Sequence, residues 1–142
     1  MIRVLIDTNI VLDAYLHRGE FAFLALEIIH KIDEKKFEGC ISASVVTDLY
    51  FIARKYTHET VTALEIVKAA CMLLTIIPVD KTIIQSALDS AMNDFEDAVQ
   101  AFAAKAMNIS IVVTRDKTGF VDSGMTVYTP QEFLAYLKTL LI

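Results

Sequence analysis

The feature that most constrains this chain is an alternation of short, nearly uninterrupted apolar runs with longer stretches whose apolar residues recur at helical spacing. Ile2 to Ile6 is broken only by Arg3, and Ile109 to Val113 is the clearest later run. Strands covered on both faces read this way, because neither row of side chains meets water. Gly39-Cys40-Ile41-Ser42, Thr75-Ile76-Ile77 before Pro78, and Met125 to Tyr128 read as three shorter strands. The stretches between them read as helices. Thr8 to Leu16 is broken by Gly19, and Phe21 to Phe37 presents Leu24, Ile28, Ile29 and Ile32 on one side until Gly39 ends it. Val45, Val46, Leu49, Ile52 and Ala53 mark a third helix, and Glu59 to Leu74 a fourth. Asp80 caps a fifth that buries Ile83, Ile84, Ala87 and Leu88. Asn93 caps a sixth with Glu96 as its reciprocal partner, and Thr129-Pro130-Gln131-Glu132 opens the last. Strands alternating with helices require right-handed crossovers, so the predicted class is α/β: a three-layer α/β/α sandwich around a central, mainly parallel sheet of four to five strands.

With 142 residues, 55% of them hydrophobic, the chain reads as one domain over residues 1–142, without a linker or an internal repeat. Its apolar stretches fall short of the ~20 residues that cross a bilayer, and Met1 to Ile6 lacks the apolar core of a secretory signal, so a cytoplasmic protein is expected. Cys40 and Cys71 read as free thiols, and Phe21, Phe23 and Tyr15 as core in preference to a dimer surface. A net charge of -5 argues against a basic surface that grips phosphates directly, and most of Lys31, Lys35, Lys36, Arg54, Lys55, Arg115 and Lys117 read as solvated helix faces. Bound cations could still let an acidic protein handle phosphodiesters.

In a doubly wound sheet, ligands sit beyond the carboxyl ends of the strands where strand order reverses. That rule selects Asp7, directly after the first strand, and Asp116, three residues after Val113. Carboxylates gathered on one sheet edge repel, so they are raised in pKa or held ionised by a cation, and an all-oxygen donor set suits Mg2+ or Mn2+. His17, His30 and His58 stand alone, which disfavours zinc. Each acid also has a purely structural reading: Asp7 as a helix cap, Asp94 and Glu96 as first-turn acids, Asp116 as a turn residue, and Asp48 as a solvent-facing helix residue.

Taken together, Asp7-Thr8-Asn9 after the first strand, Ser42 six residues before Asp48, the Asp94-Phe95-Glu96-Asp97 run opening an Ala-rich helix, and Thr114-Arg115-Asp116 after a later strand resemble the PIN domain. The likeness is greatest to the VapC-type branch, toxin ribonucleases of toxin–antitoxin pairs. It implies a PIN-like sandwich and catalytic acids Asp7, Asp48, Asp97 and Asp116. These would hold one or two Mg2+ or Mn2+ ions for hydrolysis of RNA phosphodiester bonds. It further implies support from Thr8, Asn9, Ser42 and Thr114, a phosphate contact from Arg115, a small antitoxin partner and a homodimer. Two positions depart from the family pattern. Asp48 stands where Glu is usual and reaches ~1.5 Å less, which Asp94 or Glu96 could offset. Gly119-Phe120 stands where many relatives have Asp-Phe. Those departures keep open a degenerate PIN-like module that only binds nucleic acid or protein. A phosphoaspartyl phosphatase or receiver domain fits less well, because Asn9 occupies the second Asp position of the former and Ile77-Pro78 offers no phosphorylatable acid to the latter.

Overall fold

The computed structural model describes residues 1–140. Within them lie the strands β1 (Arg3–Ile6), β2 (Glu38–Ser42), β3 (Thr75–Ile77), β4 (Ile111–Val113) and β5 (Thr126–Tyr128). The helices are α1 (Thr8–Leu16), α2 (Ala22–Asp33), α3 (Val46–Thr57), α4 (Thr60–Leu73), α5 (Lys81–Leu88), α6 (Phe95–Ala106) and α7 (Pro130–Leu140). The sheet runs β3-β2-β1-β4-β5, and every neighbouring pair is parallel. The chain builds outward from β1 through β2 to β3, then returns to place β4 on the other side of β1. Strand order therefore reverses between β1 and β4, and Asp7 extends their pairing by donating its backbone N–H to Val113 at 3.0 Å.

Alternation along each strand splits the core into two layers. Val4, Ile6, Ile41 and Val113 pack with Ile10, Ile28, Leu49, Phe133 and Leu137, under the layer of α1, α2, α3 and α7. Leu5, Cys40, Ile77 and Val112 pack on the opposite face with Ile83, Ala87, Ala98, Ala101, Ala104 and Phe120, under α5 and α6. Burying one Leu or Ile side chain in such a layer contributes roughly 1.5–3 kcal/mol. The alanines of α6 let its backbone lie close to the sheet, and this brings the first turn of α6 beside the strand ends.

Several sequence expectations need correction. The second helix stops at Asp33 rather than running to Phe37: Asp33-Glu34-Lys35-Lys36 offers no apolar side chain to bury, and Lys35 turns the chain with φ +60°. Gly39 consequently lies inside β2, where an added Cβ would sit 2.5 Å from Ile32 Cδ1. The cap of α6 is Asp94, not Asn93, since the Asp94 side chain accepts from the Asp97 N–H at 2.9 Å. Phe23 and Phe21 are 70% and 43% exposed and are not core, whereas Tyr15 packs against the larger core layer. Leu88 is likewise exposed. The reciprocal cap of α7 forms as expected, with Thr129 N–H on Glu132 Oε1 at 2.9 Å and Glu132 N–H on Thr129 Oγ1 at 3.2 Å. Among the described residues, no helix is long and apolar enough to cross a membrane.

Candidate active site

The reversal of strand order opens a cleft of about 390 Å³ at the carboxyl edge of the sheet. Asp7, Asp48, Asp94, Glu96, Asp97 and Asp116 all line it, together with Thr8, Asn9, Phe51, Ile52, Gln100 and Gly119. These acids lie up to 109 residues apart in the chain; β1, α3, α6 and the loop after β4 bring them together.

Asp7 lies deepest, at 8% exposure. Burial pushes its carboxyl above the ordinary range. Three donors offset part of that rise: Thr114 Oγ1 to Oδ2 at 2.8 Å, Gln100 Nε2 to Oδ1 at 3.4 Å, and the Thr8 backbone N–H to Oδ1 at 2.8 Å. Thr114 is itself fully buried, so its hydroxyl has a defined orientation. Asp97 sits in the first turn of α6 and is half-buried. Burial, and then the negative charges of Asp7, Asp94, Glu96 and Asp116, push its carboxyl up to about 7. Asp116 is exposed at the rim, where Thr118 donates to its Oδ1 through Oγ1 at 2.6 Å and through N–H at 3.1 Å and pulls its carboxyl down. Asp48 enters from the first turn of α3 and is half-exposed.

The donor set fits a hard divalent cation in its chemistry. All the charged donors are carboxylate oxygens, and their mutual repulsion, which adds to burial in raising Asp97, is what an added dication would offset. A neutral oxygen is also present: Gln100 is 2% exposed, and its Oε1 is buried without a hydrogen-bond partner. Among the described residues, no three Asp, Glu, His or Cys side chains stand close enough together to hold a metal ion as they are placed. Asp97 itself occupies a space that depends on Gly119, since a Cβ added there would lie 2.2 Å from Asp97 Oδ2.

Three supporting residues take positions other than those expected. Ser42 is fully buried at the end of β2, shares a 2.7 Å hydrogen bond with Ser44, and does not line the cleft. Asn9 lines it, but its Oδ1 accepts from Arg18 Nη2 at 3.0 Å instead of orienting an acid. Arg115 does not line the cleft either: its guanidinium lies 4.2 Å from the Phe21 ring centroid and pairs with Asp13. Thr8, Asp94 and Glu96 line the cleft, and Thr114 meets it through its hydrogen bond to Asp7. Gln100 and Asp13 escaped the sequence reading. Gln100 follows Asp97 by three residues and so shares its helix face, but a glutamine on a helix has many ordinary reasons to be there.

Fold and cleft define a parallel α/β protein with an acid-lined site at the topological switch point of its sheet. Residues 3–118 match the family model described as PIN domain, and the chain belongs to that family. Its fold is shared with VapBC2 from Rickettsia felis, solved bound to a DNA fragment from its promoter (TM-score 0.70, 14% identity, covering 90% of this chain and 98% of that one). It is also shared with FitAcB from Neisseria gonorrhoeae (0.65, 19%, 90% and 98%) and a toxin–antitoxin complex from Klebsiella pneumoniae (0.62, 22%, 89% and 97%). At these identities the likeness concerns the fold. None of the curated proteins is significantly similar in sequence.

Proposed function

We propose that this chain is a divalent-metal-dependent endoribonuclease, hydrolysing RNA phosphodiester bonds as the toxin of a toxin–antitoxin pair. The observation that carries this reading is the convergence of six acids on one cleft, where burial and then the neighbouring negative charges push the Asp97 carboxyl up to about 7. Asp7, Asp97 and Asp116, with Asp48 at the rim, would hold Mg2+ or Mn2+. When bound, such an ion supplies Lewis acidity and charge neutralisation at the attacked phosphorus.

The chain's own residues do the positioning. Thr114 and Gln100 hold the two oxygens of Asp7, Thr118 holds Asp116, and the Asp94 cap sets the first turn of α6 from which Asp97 projects. Fixing carboxylates through such partners tunes both their orientation and their basicity. Phe51 and Ile52 give the cleft an apolar flank beside its charges. The partner proposed is a small antitoxin protein, and the working form a homodimer in the cytoplasm. Family membership and the toxin–antitoxin neighbours support the pairing. The test is cleavage of structured RNA in Mg2+ or Mn2+, with Asp7→Asn silent while folded by circular dichroism. Full cleavage in EDTA, or by Asp7→Asn, would refute the proposal.

A further inference from the structure

A second charged cluster lies behind the cleft, centred on Asp13. This side chain is 1% exposed on α1 and is approached by two arginines. Arg18 Nε donates to Asp13 Oδ1 at 2.8 Å, and Arg18 Nη2 reaches on to Asn9 Oδ1 at 3.0 Å and Asn9 O at 3.3 Å. From the other side, Arg115 Nε stands 3.6 Å from Asp13 Oδ2, an oxygen that is buried and has no hydrogen-bond partner. Phe21 covers the Arg115 guanidinium at 4.2 Å, which gives this exposed ring a role at the surface.

The backbone position of Arg115 gives the cluster its meaning. Arg115 lies between Thr114, which bonds Asp7, and Asp116 at the rim. An ionised carboxylate this deeply buried is strongly destabilising unless paired, so Asp13 draws both guanidinium groups toward itself. One of them fixes Asn9 on the α1 side of the cleft, and the other fixes the loop after β4.

We propose that Asp13 and Arg115 form a strut that positions the loop bearing Asp116, with Asp13 and Arg115 acting as positioning residues for the divalent-cation site. This rests on the function proposed above. It assigns Arg115 to the rear of the site, not to a phosphate of the substrate. The guanidinium geometry matters as well as its charge, because its planar fork faces Asp13 while lying over the Phe21 ring, and a lysine ammonium is a point charge without that plane.

The test measures Mn2+ affinity by electron paramagnetic resonance, alongside RNA cleavage, in wild type, Arg115→Lys, Arg115→Gln, Asp13→Asn and the Asp13→Asn/Arg115→Gln double variant. Outer partners of metal ligands are worth roughly 10–100-fold in affinity, so both Arg115 variants are expected to bind Mn2+ about tenfold more weakly. Loss of a nearby positive charge alone would tighten binding, so the sign in Arg115→Gln separates position from charge. In cleavage, kcat is expected to fall with KM for RNA nearly unchanged. In the Asp13→Asn background, Arg115→Gln should add no further loss.

Wild-type Mn2+ affinity in Arg115→Lys, tighter binding in Arg115→Gln, a rise in KM with kcat unchanged, or fully additive losses would each overturn the strut. Should Asp13→Asn fail to fold, the two Arg115 variants decide the matter alone. If wild type binds Mn2+ but cleaves no RNA, the ribonuclease reading fails while the affinity comparison still tests the strut.

Discussion

Asp97→Asn is expected to make the metal-free protein more stable at and above neutral pH, although it removes a residue proposed for catalysis. The Asp97 carboxyl rises from an ordinary 3.8 to about 7 because it is partly buried among four other acids. Below about pH 4 the acid is protonated in both folded and unfolded chains and carries no penalty. Between the two values the unfolded chain releases this proton more readily than the folded one, so the folded state loses stability as pH rises, and the full penalty is present above about pH 7. About three units at 1.36 kcal/mol each sets a ceiling of about 4 kcal/mol. Asp97 is only half-buried, and solvent and salt reduce the effect to about 1–2 kcal/mol. The neutral amide removes the penalty with nearly the same shape. Thermal unfolding in EDTA should then show the variant and wild type coinciding near pH 4 and separating to about 3–6 °C by pH 8. Adding Mn2+ at pH 8 should raise the wild-type midpoint more than that of the variant. A variant less stable than wild type at pH 8, or a difference independent of pH, would refute the electrostatic reasoning.

Gly119→Ala should weaken Mn2+ binding and cleavage while leaving the protein folded. Its Cβ would stand 2.2 Å from Asp97 Oδ2, so the carboxylate must move; wild-type Mn2+ affinity in this variant would show that the space is not needed. Gln100→Leu removes one of the hydrogen bonds that hold the Asp7 carboxyl down. The acid limb of the pH–rate profile should therefore shift to higher pH, and an unshifted or lowered limb would contradict the assigned bond. Cys40 is buried and its thiol is pushed up to about 11. It should resist thiol reagents in the native protein at pH 8 and react on unfolding, and rapid native labelling of Cys40, located by peptide mapping, would contradict its placement.

The amino-acid sequence by itself determined the parts governed by local chemistry. Continuous apolar runs became parallel strands, Thr129 and Glu132 capped each other, and Asp7 and Asp116 followed strands whose parallel pairing set them on one edge. The three layers follow from alternation, since residues such as Leu5 and Ile6 must face opposite sides. The resemblance carried by Asp7-Thr8-Asn9, Asp97 and Thr114-Arg115-Asp116 reached the family because those residues lie in short, ordered motifs.

What only the tertiary structure decided is where side chains turn once several elements meet. Arg115 had a free phosphate as its simplest partner on paper, but the buried charge of Asp13, 102 residues earlier, competes for it at short range. Ser42 is drawn into the end of β2 by burial and by Ser44, and Phe21 stays at the surface over a guanidinium. Gln100 and Gly119 acquire meaning only because α6 comes within contact distance of Asp7 at the end of β1 and of the loop after β4. Hydrophobic periodicity reports which face of an element is covered, and through-space electrostatics then chooses partners among residues that the chain order leaves far apart.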